Sequence, residues 1–332
     1  LYYNDDNFTA SATDVDSVGI ISFKVDFANP ANSVAKVETS MPVAPFRSIV
    51  CASRNCAPSP NGNGYDVIAS RFMNRPYYRN FGTYQAIVAN HTVDATGSSV
   101  SGVRWYEIRN NGSSWSLQQQ GTFSPQVEFP CSTVPPMHRF MGTVAINAHG
   151  QMALAYNSSS AQRFASISFT GRNQADPLNI MSYAEKDAVI GTGYGTFGNR
   201  WGDYNEILTD VLDDSLFWFC GMYGGGANSW RTRIVSFKLA PNPTLDAALT
   251  RIEYPNNCES FCSQVVAPRF RIRNNGTQVL TQATLNLQVD NGPVTSAPWT
   301  GSLQIAEETV YTFPSIVLPA GNTNLRAWIS AP

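Results

Sequence analysis

Charge is what this sequence has least of: charged residues make up 14% of its 332 positions, against about 25% in an average domain. The 22 basic and 24 acidic residues leave a formal net charge of −2. No global field gathers a phosphate backbone or an anionic lipid surface, which excludes nucleic acid as an expected partner. Long apolar runs are missing too. Nothing approaches the ~18 residues of a membrane helix, so no membrane insertion is expected. The opening Leu1-Tyr2-Tyr3-Asn4-Asp5-Asp6 is neither basic nor apolar enough for a signal peptide, and the chain is expected to begin inside a longer surface polypeptide. Histidine is scarce. His91, His138 and His149 stand on separate segments, which argues against a zinc site. What is plentiful is Gly (24) and Pro (20), set among many Asn, Ser and Thr. That composition predicts a turn-rich, all-β, extracellular protein, with length for about two domains.

Self-similarity gives the first architectural signal. Arg79-Asn80-Phe81-Gly82, Arg139-Phe140-Met141-Gly142 and Arg200-Trp201-Gly202 place glycines at a spacing of about sixty residues. Strand-like runs follow each glycine: 143–147, 152–156, 164–170 and 180–184 after Gly142, with turns at His149-Gly150 and Asn157-Ser158-Ser159-Ser160. After Gly202 come 206–208, an Asp213-Asp214 turn, 216–222, a Gly224-Gly225-Gly226 turn and 231–239. Four antiparallel strands at fixed period predict β-propeller blades over residues 1–240. About four periods fit, fewer than most propellers hold, so further blades are expected upstream. Ala240-Pro241-Asn242-Pro243 then breaks the pattern and predicts a linker over 241–257. Runs at 265–273, 283–289, 309–313 and 324–330 predict an immunoglobulin-like β-sandwich over 258–332.

The six cysteines include two close pairs, Cys51 with Cys56 and Cys258 with Cys262, which read as disulfides. Cys131 and Cys220 remain, as a third pair by elimination or as two buried thiols. Asn-x-Ser/Thr triplets at Asn7, Asn90, Asn111, Asn157 and Asn275 are expected by chance in such a composition.

Several stretches carry a resemblance: Tyr77-Tyr78-Arg79-Asn80-Phe81-Gly82, Asn90-His91-Thr92-Val93-Asp94, Val103-Arg104-Trp105-Tyr106-Glu107-Ile108-Arg109, Gln119-Gln120-Gly121-Thr122-Phe123, Arg200-Trp201-Gly202-Asp203-Tyr204 and Trp230-Arg231-Thr232-Arg233-Ile234. Together with the Cys51 to Cys56 stretch they resemble a family of secreted, sialidase-like bacterial β-propeller proteins of largely unassigned function. The residues beyond about 240 resemble the immunoglobulin-like surface modules common in secreted proteins of Bacteroidetes. The resemblance implies a place outside the cell or on the bacterial surface, and a propeller that continues upstream.

For chemistry, Arg79, Arg139 and Arg200 are the ligand-binding candidates, since planar guanidinium forks can hold a carboxylate or sulfate. Their recurrence at the repeat period equally suits a structural tie between blades. Asp203, Tyr204 and Glu206 are the candidates if the chain is an enzyme, because glycoside cleavage needs two carboxylates or an activated Tyr. Strand alternation would put Tyr204 and Glu206 on one side. Asp-box turns are present only in degenerate form, at Asn147-Ala148-His149-Gly150 and at 210–214. Gly193 to Gly198 matches a dinucleotide fingerprint but lacks the helix that such a site requires. Asp5-Asp6 and Asp213-Asp214 are the acidic pairs that could hold calcium, and no other cofactor is expected. The balance favours a non-catalytic adhesion scaffold binding a glycan or protein; the alternative is a sialidase-like glycan hydrolase.

Overall fold

The computed structural model describes residues 1–5, 15–125, 135–194, 198–226, 229–239, 243–255 and 264–332. The pairs Cys258–Cys262 and Cys131 with Cys220, the Asn7 triplet and the Asp5-Asp6 turn each place at least one residue outside that set. Among the described residues the secondary structure is antiparallel β, with one short 3-10 turn at Pro30–Asn32. The all-β class follows from the composition: β-branched and aromatic residues alternate with polar ones between Gly, Asn and Asp turns.

The chain divides into two compact units. The first holds Leu1–Pro125, Pro135–Gln174 and Leu178–Leu239. It opens with a sheet of β1 (Tyr2–Asn4), β2 (Ser17–Lys24) and β3 (Val34–Pro42), followed by a two-stranded ribbon of β4 (Ala57–Pro58) and β5 (Gly64–Tyr65). A four-stranded meander follows, β6 (Tyr77–Asn80), β7 (Gln85–Asp94), β8 (Ser101–Asn110) and β9 (Trp115–Phe123). A second has β10 (His138–Ile146), β11 (Met152–Ser160), β12 (Arg163–Arg172) and β13 (Lys186–Gly191). The last sheet has β14 (Glu206–Thr209), β15 (Leu216–Gly224) and β16 (Trp230–Lys238).

These sheets stack face on face through alternating side chains. Val18, Ile20 and Met41 of the first sheet meet Val93, Tyr106 and Ile108 of the β6–β9 meander. The other face of that meander, with Val88, Val103 and Trp105, meets Val144, Leu154 and Tyr156 of β10–β13. Ala145, Ala153 and Ile167 on the far face of β10–β13 then meet Ile207, Phe217 and Phe219 of the last sheet. Because successive strand residues point to opposite faces, β10 and β11, enclosed on both sides, are buried at every position. This succession of meanders is consistent with a propeller-like fold. Loop 50–69 packs Tyr65, Val67 and Ile68 on Phe140, Met141 and Trp201, and is stapled by the Cys51–Cys56 disulfide.

The structure corrects the phasing of the repeat. Gly82 lies in the β6–β7 turn at φ +80°, Gly142 inside β10 at a bulge, and Gly202 at φ +73° in the loop before β14. Equal spacing therefore hides three different reasons for glycine. A side chain at 142 would run into Val103 and the Asn90 amide, and one at 202 into the Asn157 amide. Ser158 to Ser160 are strand, not turn, and the fourth strand lies at Lys186–Gly191 rather than 180–184. Two of the chance triplets, at Asn90 and Asn157, are buried in β7 and β11, where no glycan could attach.

The second unit is centred on Ala240–Pro332. It has sheets β17 (Ala247–Tyr254), β19 (Arg269–Asn274) and β22 (Glu308–Thr312), and β21 (Val294–Leu303), β20 (Leu280–Val289) and β24 (Leu325–Ser330), with a ribbon of β18 (Gln264–Val266) and β23 (Ile316–Leu318). Phe270, Ile272, Leu285, Leu287 and Trp299 fill its core. The expected 241–257 linker is thus too long: β17 lies inside it and pairs with β19, because Leu249 and Ile252 have core to cover.

Candidate functional site

The sequence candidates do not converge. Arg139, second residue of β10, is buried and forms a bidentate pair with Glu185, Nε and Nη2 each donating at 2.7 Å. Tyr156 donates to the same carboxylate at 2.7 Å, and the Met137 carbonyl accepts from Nη1 at 3.2 Å. Burial alone would disfavour the cation, but Glu185 outweighs it and holds the guanidinium protonated. All of its fork is occupied. Arg200 is exposed and pairs with Asp203 three residues on. Arg79 lines a cleft.

Tyr204 is 93% exposed and sits in a turn outside β14, so the alternation expected to align it with Glu206 does not apply. Glu206 instead accepts from Arg75 Nε at 3.1 Å. Cys220 is exposed on β15, which corrects the buried-thiol reading for that residue; its pairing with Cys131 lies outside the described residues. The reason is register: Phe217 and Phe219 fill the buried face, and Trp218 and Cys220 point the other way.

The cleft has a volume of about 650 Å³ and lies between β6 and the β14–β15 turn. The Arg75-Pro76-Tyr77-Tyr78-Arg79 segment forms one wall and residues 208–211 with Asp214 the other. Tyr77 and Thr209 join the walls by a 2.8 Å hydroxyl bond, while Tyr78, on the opposite side of β6, leaves its ring half exposed. Arg79 donates to the Ile146 carbonyl at 3.2 Å and pairs with Asp214.

Turn geometry sets the carboxylates. Asp210 accepts from the amides of Leu212 (2.7 Å) and Asp213 (2.9 Å) and from the Trp218 indole (2.8 Å). Those donors hold its carboxyl below the usual range. Asp213 turns away to Lys238 and Ser215, and its carboxyl is pushed down to about 2. Asp214 keeps one oxygen, Oδ1, buried and without a hydrogen-bond partner among the described residues. Asp213 and Asp214 each face a basic side chain, Lys238 and Arg79. No group of three or more His, Cys, Asp or Glu side chains able to hold a metal occurs among the described residues.

Sequence reasoning missed Arg75, Asp210 and Asp214 as members of one site. The signal was present as the acidic 210–214 turn, but its partner wall lies 130 residues upstream and meets it only through sheet stacking.

No protein-family model and no curated protein matches the chain. Two solved chains similar to it are variants of an exo-β-1,3-galactanase from Phanerochaete chrysosporium, each with bound β-1,3-galactotriose. One has 8% identity and a TM-score of 0.23 and covers 82% of this chain and 94% of its own; the other has 9%, 0.20, 83% and 95%. The expectation of a non-catalytic adhesion scaffold has no counterpart among these chains, which are of a glycan-cleaving enzyme. At such TM-scores the likeness transfers neither fold nor residue.

Proposed function

We propose that the chain is a glycan hydrolase whose substrate lies in the cleft between β6 and the β14–β15 turn, in a propeller-like unit followed by an immunoglobulin-like module, acting outside the cell. The observation that carries the reading is the cleft's composition: paired carboxylates beside guanidinium groups and an open tyrosine ring. Glycoside cleavage needs one carboxylate to meet the cationic sugar carbon and one carboxyl group to protonate the leaving oxygen. Asp214 suits the first role, since Arg79 orients one oxygen and the other has no partner among the described residues. Glu206 is assigned the second role: it stands beside the cleft and accepts from the wall residue Arg75, in a pair whose side chains are 36% and 60% exposed, a class worth about 1 kcal/mol at most. Tyr78 offers a ring face for a sugar to stack on. Asp210, held as an anion by three N–H groups, fixes the turn and adds negative potential opposite the positive charge that develops.

A sialidase mechanism is not favoured, because the three arginines it would draw together are apart and Arg139 is consumed by Glu185. The test is sugar release from a polysaccharide panel that includes β-1,3-galactan and a sialylated glycan. Asp214→Asn and Glu206→Gln are each expected to lower kcat by about 10²-fold or more, and Tyr78→Ala to raise KM chiefly. Cleavage undiminished in both carboxylate variants would overturn the assignment.

A further inference from the structure

The charge balance of the cleft constrains what can enter it. Two guanidinium groups line it among the described residues, and each already faces a carboxylate: Arg79 pairs with Asp214, and Arg75 donates to Glu206 at 3.1 Å. Asp210, on the same wall as Asp214, takes its three hydrogen bonds from uncharged N–H groups. With Glu206 at the rim, two cations therefore stand against three anions. No guanidinium is left over for a carboxylate or sulfate on a ligand. An acidic group entering here would have to displace a carboxylate from its arginine and would meet Asp210 at close range, where like charges repel. A hydroxyl group meets no such repulsion. It can donate to a carboxylate oxygen, or accept from one of the five guanidinium N–H groups that a single ion pair does not use up.

Two aromatic rings accompany this balance. Tyr78, on the β6 wall, leaves its ring 53% exposed. Trp218 stands next to the other wall: it is the cross-strand partner of Leu208, a wall residue, and its indole N–H donates to the wall residue Asp210 at 2.8 Å. That bond fixes the indole by one edge and leaves the side chain 41% exposed. The face of an aromatic ring is electron-rich and attracts the C–H groups that a pyranose ring presents on its flat side. We propose, resting on the reading of this cleft as the substrate site, that the substrate is an uncharged glycan chain running from the cleft across the Trp218 ring, and that glycans carrying carboxylate or sulfate groups are excluded. Charge sets the class of sugar, and the indole sets the length of chain that is recognised.

The experiment measures binding to the full chain immobilised on a sensor surface, with each glycan renewed in flow so that turnover does not deplete it. The glycans are oligosaccharides of β-1,3-galactan, laminarin and xylan, each beside its sulfated derivative, together with sialyllactose. At least one neutral series is expected to bind, and its sulfated derivative and sialyllactose to bind roughly tenfold more weakly or worse. Salt at about 1 M, where the screening length is roughly 3 Å, should shrink that difference. Glu206→Gln frees Arg75 and evens the charges, so it should raise the affinity for the sulfated derivative several-fold relative to the neutral chain. Trp218→Ala should weaken the longest neutral oligosaccharide several-fold and leave the disaccharide unchanged, while Trp218→Phe, which keeps a ring but loses the N–H, retains most of the affinity. An acidic glycan bound as tightly as the neutral ones, or no neutral glycan bound at all, overturns the substrate class. Equal weakness in Trp218→Phe and Trp218→Ala would mean that the indole acts only through Asp210, and overturns its role as a stacking face. Neutral chains that bind as expected but are never cleaved would refute the hydrolase reading and uphold this one; cleavage of acidic glycans alone would do the reverse.

Discussion

The two units solve the burial problem with different materials. The core of the second unit is apolar, with Phe270, Ile272, Leu285, Trp299 and Phe313 in one cluster, and its ion pairs lie outside that cluster with side chains 17–34% exposed. The first unit buries His91, Arg104, His138, Arg139 and Glu107 between its sheets. His91 shows what that entails. It is stacked between Tyr3 and Tyr106, with Phe46 and Phe72 edge-on, and its Nε2 meets the Tyr106 hydroxyl at 2.9 Å. A row of sheets covered on both faces has few outward positions, so polar side chains brought in by the strands must be paired inside it. A two-layer sandwich has a wet face on every strand, and the same residues can stay there. Buried polar groups make the first unit the one whose stability depends on exact partners and on pH.

The largest break in this comparison should come from the Arg139 pair. Glu185→Ala leaves a guanidinium that is 3% exposed without its bidentate partner and strands the Tyr156 hydroxyl. Removing one member of a buried pair is destabilising by about 3–5 kcal/mol. Amide exchange followed peptide by peptide should show β10–β13 opening far more often while β19 and β20 keep their protection. Equal loss in both units would mean that they unfold together and that the contrast is not energetic.

Acid should separate the units next. Burial pushes His91 down to about 3, with Arg104 adding to the effect and Asp5 opposing it. It pushes His138 down to about 4, with Arg139 adding and Asp94 opposing. Both folded-state values lie below the 6.5 of the unfolded chain, so the unfolded state binds more protons between those limits and stability falls as pH falls. The contribution is complete above pH 6.5 and declines down to about 4 for His138 and 3 for His91. At pH 5 the loss is roughly 2 kcal/mol for each group. All three histidines lie in the first unit and none in the second. Denaturant titrations from pH 7.5 to 4.5 should weaken the first unit selectively, and His91→Phe should flatten part of the slope. A pH response centred on the second unit would contradict this assignment.

The legibility of the sequence follows the same division. Alternation and turn residues gave the class, the meander order, most of β14–β16 and the close Cys51–Cys56 bridge, because each is decided by neighbours within a few positions. The sixty-residue period did not translate into equivalent sites. Gly82, Gly142 and Gly202 answer to a turn, a close approach and a positive φ, and Arg79, Arg139 and Arg200 to three unrelated partners. The cleft was illegible for the reason that Glu185 was: its walls meet across stacked sheets, where sequence distance carries no information. The strand β17 was hidden by the prolines that precede it, which mark a boundary without saying how soon the next sheet begins.

The smallest effect should come from the second unit's own arginine cluster, and it sharpens the contrast with Arg139. Arg271 donates from Nε to Glu253 at 2.7 Å, and its Nη2 lies 2.6 Å from the same carboxylate; Nη1 lies 3.7 Å from Glu308. Both contacts reach one oxygen of Glu253, Oε1, whereas Arg139 divides its pair between the two oxygens of Glu185. Exposure differs: the Arg271 side chain is 34% exposed and Arg139 is 3% exposed. Water competes for a half-exposed pair and salt screens it, so Arg271→Ala should reduce stability by about 1 kcal/mol or less. Raising the ionic strength to about 1 M shortens the screening length to roughly 3 Å and should erase most of even that difference. Applied to Glu185→Ala, the same salt titration should leave the destabilisation nearly intact, because the cost there is an unpaired charge between sheets that ions do not reach. If Arg271→Ala proved as damaging as Glu185→Ala, and equally indifferent to salt, burial would not be what separates the two arginines.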